Sequence, residues 1–157
     1  MKVKRIFVAV LVILLAGTFG HVYGKDTAQE KSSAKAQAKE MVVKAEEFVM
    51  ANGKEKAIAE FNKPGGQFVK DYFYVFAYDL KGTVIAHPHR PSLVGKNVIK
   101  EPDSQGKLFR KEIVEKAKSK GEGWVDYKYL NPTTKKEKSK TTYFKKVDDM
   151  IICCGAY

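Results

Sequence analysis

Between residues 72 and 78 the chain sets an aromatic ring at every second position: Tyr72, Tyr74, Phe76 and Tyr78. Side chains alternate sides along a strand, so all four rings share one face of an extended segment. Asp79-Leu80-Lys81-Gly82 then reads as a turn and Thr83–His87 as a returning strand, which makes the pair a hairpin. Three of the four rings carry a hydroxyl. A plain core is met by Val, Ile and Leu, which leave no hydroxyl to satisfy. Two readings follow: the rings line a pocket, or the face packs on a helix with its hydroxyls at the rim. Parity alone leaves both open.

Before this hairpin the period is that of a helix. Residues 26–51 are rich in Ala, Lys, Glu and Gln, with Ala34, Ala38, Met41, Val42, Ala45, Phe48 and Val49 spaced by threes and fours. Asp26 or Thr27 is placed to cap the start, with Glu30 completing a capping box after Thr27, and Asn52-Gly53 ends the helix. A shorter helix follows over 54–61 and a loop over 62–66. After the hairpin, Pro88, Pro91, Gly95 and Pro102 mark residues 88–107 as a long connection, anchored by Leu93, Val94, Val98 and Ile99. A third helix is expected over 108–119, then strands over 123–130, 138–147 and 151–157. The order predicts an α+β fold: a long N-terminal helix packed on a five-stranded antiparallel sheet.

Residues 1–24 read as a secretory signal peptide, with Lys2, Lys4 and Arg5 ahead of the apolar run Ile6–Ala16 and a small residue, Gly24, before the cut. The alternative is an N-terminal membrane anchor. The expected location is periplasmic or secreted, with residues 25–157 forming one domain: the long helix, then a core over 54–157. That domain holds 26 bases against 18 acids, a formal charge of +8, with lysines spread among glutamates and Arg90 and Arg110 as its arginines. Nucleic-acid readers cluster Arg and Lys on one face, so no nucleic-acid partner is expected. Neither G-x-S-x-G nor H-E-x-x-H occurs, and no enzymatic activity or cofactor is expected. His87 and His89 lack an evident third metal ligand, so no metal is expected either. Cys153 and Cys154 are neighbours whose sulfurs point to opposite faces of a strand. They read as two small buried hydrophobes, with metal binding or redox chemistry as the other reading.

The run Tyr74-Val75-Phe76-Ala77-Tyr78-Asp79-Leu80-Lys81-Gly82-Thr83-Val84-Ile85-Ala86-His87-Pro88 is followed by Leu93-Val94-Gly95-Lys96-Asn97 and Gly121-Glu122-Gly123-Trp124-Val125-Asp126-Tyr127. Asn131-Pro132, Lys140-Thr141-Thr142-Tyr143 and Gly155-Ala156-Tyr157 come after. In this order the motifs resemble the single Cache domain, the PAS-like extracellular sensor module of bacterial chemoreceptors and sensor kinases, over about residues 27–157. The resemblance implies a pocket on the sheet face away from the long helix, under the connecting segment. In that family such pockets commonly take acetate, propionate, pyruvate, lactate or amino acids. Receptor members continue into a transmembrane helix and a signalling domain, so this chain resembles a free-standing exported version.

On this reading Tyr74, Phe76 and Tyr78 line the pocket. His87 donates to a carboxylate or is a turn histidine satisfied by backbone. Trp124 and Tyr127 are further lining candidates on opposite parities, which share a side only across a bulge. Lys140 is the cation for a carboxylate, because the matching family motif carries a lysine there; the other reading leaves it in solvent. Tyr143 faces the other side of a regular strand from Lys140, and Arg90 is the alternative clamp, with a bidentate geometry suited to carboxylate. The expected function is binding of a small organic anion without catalysis, in partnership with a membrane receptor or transporter. The competing reading is an interaction module that dimerises through the long helix.

Overall fold

The computed structural model describes residues 23–157; most of the proposed signal peptide lies outside the described residues. The elements are α1 (Tyr23–Asn52), α2 (Lys54–Phe61), β1 (Val69–Lys70), β2 (Phe73–Asp79), β3 (Val84–Ala86), α3 (Phe109–Lys120), β4 (Glu122–Leu130), β5 (Glu137–Val147) and β6 (Met150–Ala156). The helix is already under way at Asp26 and Thr27, so neither stands at its start. The sheet is antiparallel, in the order β1-β2-β6-β5-β4, with β3 on the same edge of β2 as β1. The sequence indicated five strands. The sixth, β1, is two residues long and too short to carry a visible period.

α1 covers one face. Ala34, Ala38, Val42, Ala45 and Val49 form its buried stripe, against Phe73, Val75, Ala77, Ile152, Cys154 and Ala156. The alanines let the helix axis come close to the sheet, where bulkier side chains would hold it off. The opposite face is roofed by α3, through Phe109, Ile113, Val114 and Ala117, and by Val98 of the connection. Beneath lie Tyr74, Phe76, Tyr78, Ile151, Cys153, Phe144, Val125 and Tyr127.

The connection is tied to the hairpin rather than loose. Val84 N–H donates to Lys96 O at 3.0 Å, Gly95 N–H to Val84 O at 2.8 Å and Val98 N–H to Gly82 O at 3.1 Å. Gly82 has φ 86° and a Cβ there would lie 2.7 Å from Ile99 Cβ, so the turn needs glycine for both backbone and space. Asp79 Oδ1 accepts from the N–H groups of Lys81 and Thr83 at 2.8 and 2.7 Å, which fixes the hairpin's tip.

Candidate ligand-binding site

β5 sends Lys140, Thr142 and Phe144 toward the α3 face and Tyr143 toward α1. Across the β4–β5 ladder Tyr127 stands opposite Lys140, and Trp124 opposite Tyr143. With no bulge in this register, the two pairs face opposite sides. Trp124 and Tyr143 therefore lie away from Lys140, with ring centroids 5.1 Å apart and Lys35 and Lys39 of α1 over them at 5.0 and 5.2 Å. Tyr74, Phe76, Tyr78, His87, Arg90, Tyr127 and Lys140 are brought to the face that α3 and the connection cover.

Lys140 is the centre of the arrangement. Its stem crosses β6 at Gly155, where a Cβ would lie 2.0 Å from Lys140 Cε and 2.8 Å from Thr142 Oγ1. Glycine is required there by close approach alone. The ammonium then reaches Tyr74, donating to its hydroxyl at 2.8 Å. It sits 4.2 Å from the Tyr74 ring centroid, 5.1 Å from Phe76, 5.1 Å from Tyr157 and 5.2 Å from Tyr129. The side chain is 1 % exposed, and no ion pair is formed between Lys140 and a carboxylate among the described residues. Burial draws its pKa down to about 7. Rings attract a cation through their quadrupole but do not neutralise it, so a protonated Lys140 has no counter-ion among the described residues.

His87 is kept neutral beside it. Burial, then the Lys140 charge, push its pKa down to about 3. Its Nδ1 accepts the backbone N–H of Arg90 at 3.2 Å, which leaves the hydrogen of a neutral ring on Nε2, a donor. Asn62, just past α2, accepts the His87 N–H at 3.0 Å and donates to Ile58 O at 3.0 Å, locking the end of β3 to that helix. The imidazole stacks on Phe76 with centroids 5.7 Å apart.

Arg90 Nη1 donates to Tyr129 Oη at 3.2 Å. Tyr78 is buried, which pushes its hydroxyl pKa up, with the nearby Arg110 working against this. Tyr127 stacks on Phe109 at 3.8 Å and its hydroxyl is paired with Thr142 Oγ1 at 2.8 Å, so it forms the site's floor rather than a free donor. Tyr129, Arg110 and Tyr157 belong to the same cluster and are not among the site residues read from the sequence. Tyr129 carried a signal, since it shares Tyr127's parity. Tyr157 stands in the closing motif of the resemblance without a site role, and an arginine on a helix carries no signal.

A wide groove of about 1320 Å³ is lined by the N-terminal part of α1, the connection and residues of β4, β5 and the end of β6, and meets the cluster at Tyr127, Lys140 and Tyr157; Tyr74, Phe76 and His87 do not line it. It opens onto the cage at one corner rather than containing it. Among the described residues no group of three or more His, Cys, Asp or Glu is placed to hold a metal ion. Cys153 and Cys154 are both buried and unbridged. Cys153 faces the α3 side, and Cys154 faces α1 with its sulfur 3.6 Å from that of Met41. Burial pushes the Cys154 thiol up to about 12, the direction of an unreactive sulfur.

The family model described as "Cache domain" matches residues 22–157. The chain belongs to the Cache domain family. Solved structures agree at the level of the fold. The periplasmic sensor domain of a chemotaxis protein superposes with a TM-score of 0.67 at 19 % identity, over 85 % of this chain and 99 % of that one. A methyl-accepting chemotaxis protein from Vibrio parahaemolyticus gives 0.71 at 24 % identity, over 85 % and 94 %. A Cache chemosensory domain described for its carboxylic acid recognition gives 0.63 at 24 % identity, over 85 % and 97 %. This Cache domain thus has the sensor-type fold of chemotaxis proteins, with Lys140 and its ring cage between the sheet and the connection.

Proposed function

We propose that this Cache domain binds a small organic carboxylate, such as acetate, propionate, pyruvate or lactate, and releases it unchanged. The observation that carries the reading is Lys140: a buried amine held by four rings and one hydroxyl, with no carboxylate paired to it among the described residues. A carboxylate in the cage would supply the missing counter-charge, accept from Lys140 and from the His87 Nε2–H, and lay its apolar end on Tyr74 and Phe76. The structural relative described for carboxylic acid recognition adds support from the family. The leader-like residues 1–24 support action outside the cytoplasm, where a membrane receptor or transporter would read the bound state.

A thermal-shift panel of these acids tests the reading. A ligand at 100 times its Kd adds ~2.7 kcal/mol, worth about 10 °C for a domain near this size. The shift is expected to vanish in Lys140→Ala and to shrink in Tyr74→Phe. A flat panel with a dimer in solution would favour the interaction-module reading instead.

A further inference from the structure

Among the described residues the titratable groups around Lys140 are bases, phenols and thiols. From β2 comes Tyr74, its ring centroid 4.2 Å from the Nζ. The end of β3 and the connection bring His87 and His89, 5.2 and 4.7 Å from that ring, and then Arg90 on the Tyr129 hydroxyl. β4 brings Tyr127 and Tyr129, and α3 brings Arg110 to the Tyr129 ring. β6 brings Tyr157, with the thiols of Cys153 and Cys154 beside the lysine stem. The acids of the adjoining groove are directed elsewhere. Asp103 is held by the N–H groups of Lys107 and Lys128 at 2.9 and 2.8 Å, Asp126 stands on the other side of β4 from Tyr127, and Glu30 belongs to α1. An ammonium in such a setting gives up its hydration and gains no opposite charge. The empty site is therefore at lowest cost with Lys140 as a neutral amine, the direction in which burial drives it.

We infer that the site takes up a proton from solvent with each carboxylate it binds, the proton lodging on Lys140 Nζ as the anion arrives beside it. This concerns the regulation of the carboxylate site proposed above and rests on that reading. A simple carboxylic acid is already ionised above about pH 6, so anion and proton enter as separate species and meet as an ion pair. The pair is neutral, as the amine was alone, and the enclosed site never holds an uncompensated lysine charge. The 2.8 Å contact between Nζ and the Tyr74 hydroxyl serves both forms. A neutral amine accepts the hydroxyl hydrogen, whereas an ammonium donates to the hydroxyl oxygen and releases that hydrogen to the anion. Burial keeps the Tyr74 phenol protonated throughout. The domain then responds to the product of anion and proton concentrations, so acidification and rising ligand act alike.

Calorimetric titration of the purified protein with acetate, propionate, pyruvate and lactate tests this, run at pH 8 in HEPES and in Tris. The two buffers differ in their heat of ionisation, so the difference in binding heat counts the protons exchanged. For an acid that binds, uptake of about one proton per ligand is expected at pH 8. Its Kd is expected to weaken about tenfold from pH 8 to pH 9 and to change within about twofold from pH 6 to pH 7. His89→Gln is expected to leave the uptake intact, which assigns the proton to Lys140 rather than to the neighbouring imidazole. Loss of the uptake in that variant would overturn the assignment. Binding with no proton exchanged and an equal Kd at pH 8 and pH 9 would overturn the coupling and leave the carboxylate reading standing. No binding of any of the four acids at pH 6, by heat or by thermal melt, would overturn both.

Discussion

Replacing Lys140 by Met is expected to stabilise the ligand-free protein at pH 6 while abolishing its response to carboxylates. The lysine pKa falls from 10.5 to about 7 because the charged form is buried. At ~1.4 kcal/mol per pKa unit, holding the proton below pH 7 costs roughly 5 kcal/mol. Between these two values the unfolded chain binds the proton and the folded chain does not, so stability rises with pH across that window and the full cost is felt below it. Met fills similar space without a charge, but it leaves the Tyr74 hydroxyl without its 2.8 Å partner, a loss of about 1–2 kcal/mol. The net gain at pH 6 is therefore about 3 kcal/mol, or roughly 10 °C in Tm. The assay is a pair of calorimetric melts, wild type and variant, at pH 6 and pH 9. The gap should be wide at pH 6 and should narrow as pH rises, because wild type then sheds the buried charge. A variant that melts with or below wild type at pH 6 would refute the reasoning, for it would mean that Lys140 already has its counter-ion.

His87 gives a second linkage. Its folded pKa of about 3 lies below the ordinary 6.5, so below pH 6.5 the unfolded chain takes up a proton that the folded one refuses. From this group alone stability should fall by about 2 kcal/mol between pH 7 and pH 5, and urea melts of His87→Gln should show a correspondingly flatter pH dependence; an unchanged slope would contradict a buried neutral imidazole. Gly155→Ala should cost about 1–3 kcal/mol and leave the circular dichroism spectrum intact, but remove carboxylate binding, since the new methyl occupies the path of the Lys140 stem. Unaltered binding in that variant would show that the stem does not need to cross β6 there.

The sheet and its helices were legible because each carries its own period. Tyr74, Phe76 and Tyr78 keep the alternation, and Ala34 to Val49 recurs by threes and fours; Tyr72 does not share their face, because it precedes β2 and packs with the α1-side core. What the sequence left open was the partner of each face. Tyr74, Phe76 and Tyr78 turn away from α1 because β2 pairs with β6 in the register Phe76↔Cys153, a contact between distant segments that no local pattern encodes. Parity did separate Trp124 from Tyr127, and the unbroken β4–β5 ladder places them on opposite sides. Tyr157 and Arg110 were hidden for the same reason as the faces: each reaches Tyr129 or Lys140 across the fold, not along the chain.

The central position of β6 bears on when this site exists at all. β6 is the only bridge in the described sheet between the β1-β2-β3 half and the β4-β5 half. Tyr74, Phe76 and His87 belong to the first half, Tyr129 and Lys140 to the second. Until the last strand slots between them, the two halves are separate hairpins and the cage is in pieces. Closing that seam joins segments more than seventy residues apart, as in Val75↔Cys154, the kind of non-local step that slows folding. A bound anion would touch both halves and act as a rivet across the seam. It would lower the frequency with which β6 peels out, and amide hydrogen exchange along Met150–Ala156 would register it.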